Sequence, residues 1–341
     1  MTRIAISGLG SHAVKGHLAQ LKTFADVEIA GVVEPNDAAF AKAQTSQQVS
    51  LHRYENYEAL LADPHVDGVI IATPDHLHLP QMQAAVAAGK HVYCEKPLIT
   101  NAAELDLLKD VFRTASTKGL VVTSCHPRRF DPPYVWLKDN LAELTEQLGK
   151  PLALTLDFSY DKPTAGKENL HGGSLMQDHA NHEIDYTHWL FGLAPTQAFL
   201  KVDSAERYEM SGSRDDGVTF EFVGTRRLHS QINPETIRLR FERGDVMIDT
   251  YEQPNSYIRR HDAIVHTANG RSSFSISPIA LGVTNYNLRN TAVNRAFVDA
   301  IEGKCANYLK PEEMLANSLF SVGMNMQGNR IFYFRPQQAQ L

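Results

Sequence analysis

Cysteine is scarce: three occur in 341 residues, Cys94, Cys125 and Cys305, with no CxxC pair. So sparse and odd a set speaks against a disulfide framework and against a structural zinc module. An excess of positive charge is also missing. Lys+Arg number 33 against 39 Asp+Glu, a formal charge of −6, and the pairs Arg128-Arg129, Arg226-Arg227 and Arg259-Arg260 are too short to form a basic tract. A nucleic-acid partner is therefore not expected. No apolar run approaches the roughly 18 residues of a membrane span, so no membrane partner is expected either. The opening residues, Met1-Thr2-Arg3-Ile4-Ala5-Ile6-Ser7, carry no charged leader with an apolar stretch behind it, and the chain reads as cytoplasmic. Internal repeats and low-complexity segments are absent.

What is present is ordinary globular material, 43% hydrophobic and 21% charged, enough for a core and, by length, for two domains. Over residues 1–125, short β-branched runs alternate with amphipathic stretches, the pattern of a parallel sheet buried on both faces. Strands are expected at Arg3–Ser7, Glu28–Val33, Gly68–Ala72, His91–Cys94 and Leu120–Ser124. Helices are expected at His12–Phe24, Asp37–Gln47, His76–Ala88 and Ala102–Lys118, with a shorter one at Tyr57–Ala62. From residue 126 to 341 the pattern changes. After a connector and a helix near Tyr134–Leu148 come alternating runs at Leu152–Phe158, Gln197–Val202, Val218–Val223, Ile237–Phe241 and Val246–Thr250. These fit a half-solvated antiparallel sheet. Further helices are expected at Leu175–Phe191, Asn290–Ile301 and Pro311–Gly323. The fold class is thus α/β, a doubly wound parallel sheet, followed by an α+β domain.

The first strand runs into Gly8-Leu9-Gly10-Ser11-His12-Ala13, a fit to G-x-G-x-x-G/A. Gly8 would make the tight turn, Gly10 would let the backbone approach a pyrophosphate, and the helix start would supply N–H groups. Glu34 ends the second strand, where an acid holds adenosine ribose hydroxyls. It would repel a 2′-phosphate, and Pro35-Asn36 offers no arginine to bind one, so NAD is favoured over NADP. Thr73-Pro74 closes another strand at the edge where a dinucleotide would run, although Pro74 serves equally as a strand stop.

Lys96 follows a buried strand at the same edge, placed to polarise a hydroxyl or carbonyl oxygen; most lysines are simply solvated. In the second half, Ser174 with Gln177 fits a capping box. Asp178 and His182 then lie one turn apart on one helix face, a carboxylate able to orient and tune an imidazole base. Asp185 sits a further turn along. A polar helix face is the plainer reading of this pattern. The spacing His179-x-x-His182-Glu183 matches no zinc motif, and no metal is expected. His179 and His188 fall on other faces and read as structural.

Gly8-x-Gly10, Thr73-Pro74 with His78, Glu95-Lys96-Pro97, and Gly172-Gly173 through Asp178, His182 and Asp185 occur in this order. So assembled, the chain resembles the Gfo/Idh/MocA family of sugar and polyol dehydrogenases over nearly its whole length, including Arg129-Phe130-x-Pro132 and the helix with Ala296–Gly303. Its departures are Ala13 at the third glycine and Ser174 where many members carry another glycine. The resemblance implies a Rossmann domain and a C-terminal domain on an open antiparallel sheet, with an active site between them. The sheet's exposed face would serve a homo-oligomer, dimer or tetramer. Lys96, Asp178 and His182 would form the catalytic set. Gly8, Gly10, Ser11 and His12 would line the pyrophosphate, Glu34 the ribose, and Thr73, Pro74, His78, Glu95 and Lys96 the nicotinamide half.

The expected reaction is hydride transfer between a nicotinamide and a carbinol or carbonyl carbon of a sugar, sugar acid or cyclic polyol. His126, Arg129, Tyr160, Lys162 and His171 are candidates to meet substrate beside Lys96, Asp178 and His182, although a structural role fits each of the five. Arg129 with a lysine would suit a carboxylated or phosphorylated sugar. Two other functions fit the same residues: a redox-neutral NAD-dependent glycosidase or lyase using transient oxidation, and a non-catalytic dinucleotide sensor.

Overall fold

In the computed structural model, the described residues are 1–160, 175–192, 194–204, 206–226, 235–252, 259–276, 286–325, 331–333, 335 and 341. The chain forms two compact units, and a single cut does not separate them. The first unit takes Met1–Pro127 together with Asn287–Ser318; the second takes Arg128–Tyr286 and the segment from Leu319.

The first unit is built on a five-stranded parallel sheet. Its strands are β1 (Thr2–Ser7), β2 (Val27–Val33), β3 (Gly68–Ile71), β4 (His91–Cys94) and β5 (Val122–Ser124), in the order β2-β1-β3-β4-β5. Ile4, Ile6, Val69, Ile70, Ile71, Val92 and Tyr93 are fully buried. That explains the continuous apolar runs, since helices cover both faces. Each such side chain contributes about 1.5–3 kcal/mol of transfer free energy. The winding reverses between β1 and β3, so the crevice at the carboxyl ends of these strands is the ligand position of this architecture. A π-helical stretch, Ala13–Leu18, leads into α1 (Ala19–Leu21), followed by α2 (Asp37–Gln47), α3 (Tyr57–Ala62), α4 (His78–Ala87) and α5 (Leu105–Lys118). Asn36 and Asn56 cap α2 and α3, their side chains accepting from the N–H of Ala39 and Ala59, each worth about 1 kcal/mol.

Helix α8 (Tyr286–Ile301) returns to this unit from the far end of the chain. Thr291 donates to Gln20, Arg295 pairs with Asp26 at 2.7 Å, and Thr2 donates to Glu302 at 2.7 Å.

The second unit carries a nine-stranded sheet. Its strands are β6 (Pro151–Tyr160), β7 (Gln197–Asp203), β8 (Arg207–Ser213), β9 (Thr219–Arg226), β10 (Glu235–Phe241), β11 (Gly244–Glu252), β12 (Arg259–Thr267), β13 (Gly270–Ile276) and β14 (Ile331–Tyr333). The order is β13-β12-β11-β10-β6-β9-β8-β7-β14, antiparallel except for β6 beside β9. Helices α6 (Pro132–Leu148) and α7 (Leu175–Phe191) belong to this unit, and α9 (Pro311–Asn325) follows α8 in the chain. One sheet face buries Leu154, Leu156, Phe220, Phe222, Ile237, Leu239 and Ile248. The opposite face is mixed: cross-strand partners Ile264, Met247, Arg238, Thr155, Glu221, Ser211 and Phe199 form one row across seven strands. Among the described residues, no helix is long and apolar enough to cross a membrane.

Candidate active site

In the first unit, the loop after β1 turns sharply at Gly8, whose φ is +89°. A Cβ there would lie 2.6 Å from the Ala72 carbonyl oxygen, so only glycine fits between β1 and the end of β3. At Gly10 nothing lies within 4 Å of a built Cβ. The loop therefore leaves open space where a ligand backbone would pass, and Gly10, Ser11 and His12 are exposed. These features fit a dinucleotide diphosphate. Glu34 closes the loop from β2: its Oε2 accepts the Leu9 N–H at 2.8 Å and its Oε1 accepts the Asn36 N–H at 2.9 Å. A carboxylate offers about four lone-pair sites, which leaves capacity for ribose hydroxyls.

Pro35 and Asn36 offer no arginine beside Glu34, but the fold brings one from further along the chain. A parallel bridge pairs Val32 with Arg53. Arg53 Nε donates to the Glu34 carbonyl at 2.8 Å, and its guanidinium pairs with Asp37 at 2.6 Å over the Phe40 ring. A guanidinium paired with Asp37 thus stands beside Glu34, supplied by a segment 19 residues away.

The loops after β3 and β4 are tied together. His78 is 1% exposed and lies between two carbonyl oxygens, with Nδ1 2.7 Å from Pro97 O and Nε2 2.8 Å from Thr73 O. His78 therefore clamps the Thr73-Pro74 turn to the Lys96-Pro97 turn from beneath and is not itself an exposed lining residue. Gln81 adds a second tie, its Oε1 accepting from Thr73 at 3.0 Å and from Ser7 at 3.3 Å. Lys96 is half-buried at the carboxyl end of β4.

Glu95 faces inward. Its Oε1 lies 2.8 Å from His17 Nε2 and 3.2 Å from His12 Nε2. Burial alone would raise this carboxyl, but the two imidazoles hold it well below the usual carboxylate range. Cys125 lies close by; burial, with Glu95 adding to it, pushes its thiol well above the usual thiol range. Potential ligand atoms of His12, Glu95 and Cys125 lie within 4.8 Å of one another. The Glu95 oxygen is already committed to two imidazole donors, and the group reads as a hydrogen-bonded cluster. Neither His17 nor Gln81 stands out in the sequence.

His126, expected at the substrate, is buried, and its N–H donates to the Tyr308 hydroxyl at 3.4 Å.

In the second unit, α7 places Asp178 and His182 one turn apart, as the spacing requires. His182 is half-buried, its ring 6.1 Å from that of His179, which stacks on Phe158 at 4.3 Å. Both oxygens of Asp185 accept from the Arg129 guanidinium, at 2.9 and 2.7 Å, with both side chains buried. Asp185 thus balances the charge of Arg129, which was a candidate to meet an anionic substrate. Beside it, Arg128 pairs with Glu183 at 3.1 Å and Glu235 at 3.0 Å, and Tyr134 donates to Glu235. Burial pushes the Glu183 carboxyl up to about 7, with Arg128 opposing. Lys162, His171, Gly172, Gly173 and Ser174 lie outside the described residues, as do the side chains of Tyr160, Gln177 and Asp178.

Residues 2–126 match the oxidoreductase family described as having an NAD-binding Rossmann fold, GFO_IDH_MocA. The chain is 31% identical over 191 residues to an inositol 2-dehydrogenase/D-chiro-inositol 3-dehydrogenase of Lactiplantibacillus plantarum, covering 56% of this chain and 52% of that protein. It is 34% identical over 153 residues to D-xylose 1-dehydrogenase (NADP(+)) 2 of Haloferax volcanii, covering 43% and 45%. The matches thus span about half the length of these curated relatives. Among solved structures, myo-inositol 2-dehydrogenase from Lactobacillus plantarum superposes with a TM-score of 0.77 at 19% identity, covering 98% of this chain and 99% of that one. At that identity the likeness concerns the fold.

Proposed function

Since the chain belongs, through its N-terminal domain, to the Gfo/Idh/MocA oxidoreductase family, we propose that it moves hydride between a nicotinamide dinucleotide and a CH–OH or carbonyl carbon of a sugar, sugar acid or cyclic polyol. The observation that carries this reading is the edge of the parallel sheet. There the Gly8 turn and the open space at Gly10 follow β1, and the Lys96 turn clamped by His78 follows β4, with β3 between them.

A bound nicotinamide would supply the two-electron chemistry. The loop N–H groups of Gly10, Ser11 and His12 hold the diphosphate, and Glu34 takes the adenosine ribose hydroxyls. Thr73 and Pro74 border the nicotinamide half. Lys96 donates to the reacting oxygen and stabilises its alkoxide character. His182 accepts the hydroxyl proton in the oxidative direction and returns it in the reductive one, with Asp178 orienting the imidazole. NAD is the proposed cofactor on the strength of Glu34. The nearby Arg53 makes NADP the comparison to run. The mixed open face of the nine-stranded sheet is the proposed surface for self-association.

Purified protein is to be assayed for NADH or NADPH formation with inositols, aldoses and sugar acids, and for oxidation of both with keto sugars. A signal confined to one substrate class supports the proposal. Dinucleotide that stays bound through turnover of a glycoside, with no net reduction, would replace it with the redox-neutral reading. Absence of any dinucleotide binding would end it.

A further inference from the structure

Asn294, on α8, fixes the chemistry of a histidine 277 residues earlier in the chain. Its Nδ2 donates to two backbone carbonyls, Gly16 O at 2.8 Å and Asn290 O at 2.7 Å. That pins the amide, so Oδ1 must face His17 Nδ1, at 2.9 Å. An amide oxygen accepts only, and Nδ1 therefore carries a proton. The other ring nitrogen, Nε2, stands 2.8 Å from Glu95 Oε1, a second acceptor. The ring is thus held between Asn294 and Glu95, enclosed at 1% exposure and packed edge-on against Tyr93.

The same Glu95 oxygen receives His12 Nε2 at 3.2 Å. His12 differs from His17 in being open: its side chain keeps 42% exposure, on the segment directly after Gly8 and Gly10. The ring lies across Gly16, where a Cβ would come within 3.0 to 3.4 Å of three of its atoms. A side chain at position 16 would crowd it off that seat. The groups around this ring are thus Glu95 from the end of β4, His17 and Gly16 from the π-helical stretch, and Cys125 beyond β5.

We infer that the His12 side chain is a direct contact to the dinucleotide diphosphate, and that Asn294, His17 and Glu95 are positioning residues that hold its ring in place, with Gly16 as its seat. The inference rests on the dinucleotide reading above and extends it. The loop binds through a side chain as well as through its N–H groups, and a residue of α8 takes part in orienting that side chain. A ligand crossing the carboxyl edge from β1 towards β4 meets the imidazole that spans that edge.

Two measurements on the full chain test this. NADH and NADPH binding, followed by fluorescence titration, is compared in the wild type, His12→Ala, Gly16→Ala and Asn294→Ala. Long-range 15N–1H correlation spectra read whether His17 Nδ1 carries a proton. Losing a hydrogen bond to a charged group should weaken dinucleotide binding by about 10-fold or more in His12→Ala. Gly16→Ala should weaken it in the same direction without lowering the melting temperature, because alanine favours a helix over glycine. His17 should show a protonated Nδ1 in the wild type and lose that preference in Asn294→Ala. Wild-type affinity in both His12→Ala and Gly16→Ala overturns the inference, as does a His17 Nδ1 without a proton in the wild-type protein. A wild type that binds neither dinucleotide removes instead the reading on which the inference stands.

Discussion

At the scale of single residues, chemistry and position separate cleanly in the first unit. Gly8 is a positional requirement: alanine there must adopt φ near +89° and meet the Ala72 oxygen, a conformation that costs about 1–2 kcal/mol before the clash. Gly8→Ala is expected to lower the melting temperature and to abolish measurable dinucleotide binding; calorimetric titration at wild-type affinity would contradict that. Lys96 and His182 are the proposed chemical residues. Alanine at either should cut kcat by about 10²–10⁴-fold with little change in dinucleotide affinity, and a steady-state assay near wild-type rates would remove that residue from the mechanism. Such positions are legible because strand ends and helix spacing announce them: Gly8 and Gly10 follow an apolar run, and Asp178 and His182 are four apart. Arg53, Gln81, His17 and Asn294 are not legible in that way. Each acquires its meaning from a partner brought near by the sheet or by α8, across separations of 8 to 277 residues. Arg129 is the converse case: a candidate for an anionic sugar in the sequence, it is paired with Asp185 by folding.

At the scale of elements, the parallel sheet follows the sequence closely because both of its faces are apolar. The antiparallel sheet follows less well. Strands β8, β12, β13 and β14 have no counterpart in the sequence expectations. Segments such as Arg-Tyr-Glu-Met-Ser-Gly-Ser and Gly-Arg-Ser-Ser-Phe-Ser-Ile place few apolar residues inward, and pairing with neighbours decides their state. The first helix also differs from expectation, with π-helical turns over Ala13–Leu18, a variation often found at functional sites. Helix α7 carries a prediction of its own. Glu183 is protonated up to about pH 7 in the fold, whereas an unfolded glutamate titrates near ~4.3. Between those values the native state holds a proton that the unfolded state has released, so this group's contribution to stability falls as pH rises. Glu183→Gln should therefore flatten the decline of melting temperature from pH 5 to pH 8 relative to wild type. Parallel profiles would show that the carboxyl is ionised throughout.

At the scale of the whole molecule, the proposed self-association rests on a surface of ordinary polarity with apolar points at Met247, Ile264 and Phe199. Stable interfaces bury about 800 Å² per partner, which a nine-stranded sheet can supply. Phe199→Glu combined with Met247→Glu should yield monomers by size exclusion with light scattering; a wild type already monomeric at micromolar concentration would end the proposal. The division of the chain has a consequence during synthesis. A ribosome releases Met1–Pro127 first, yet Asn287–Ser318 belongs to the same unit, and Asn294 must arrive before His17 has its partner. At about 5–20 residues per second, the nascent sheet waits on the order of ten to forty seconds for its last helix. Cofactor binding by stalled nascent chains should accordingly appear only once α8 has emerged from the exit tunnel, making the segment translated first among the last to become competent.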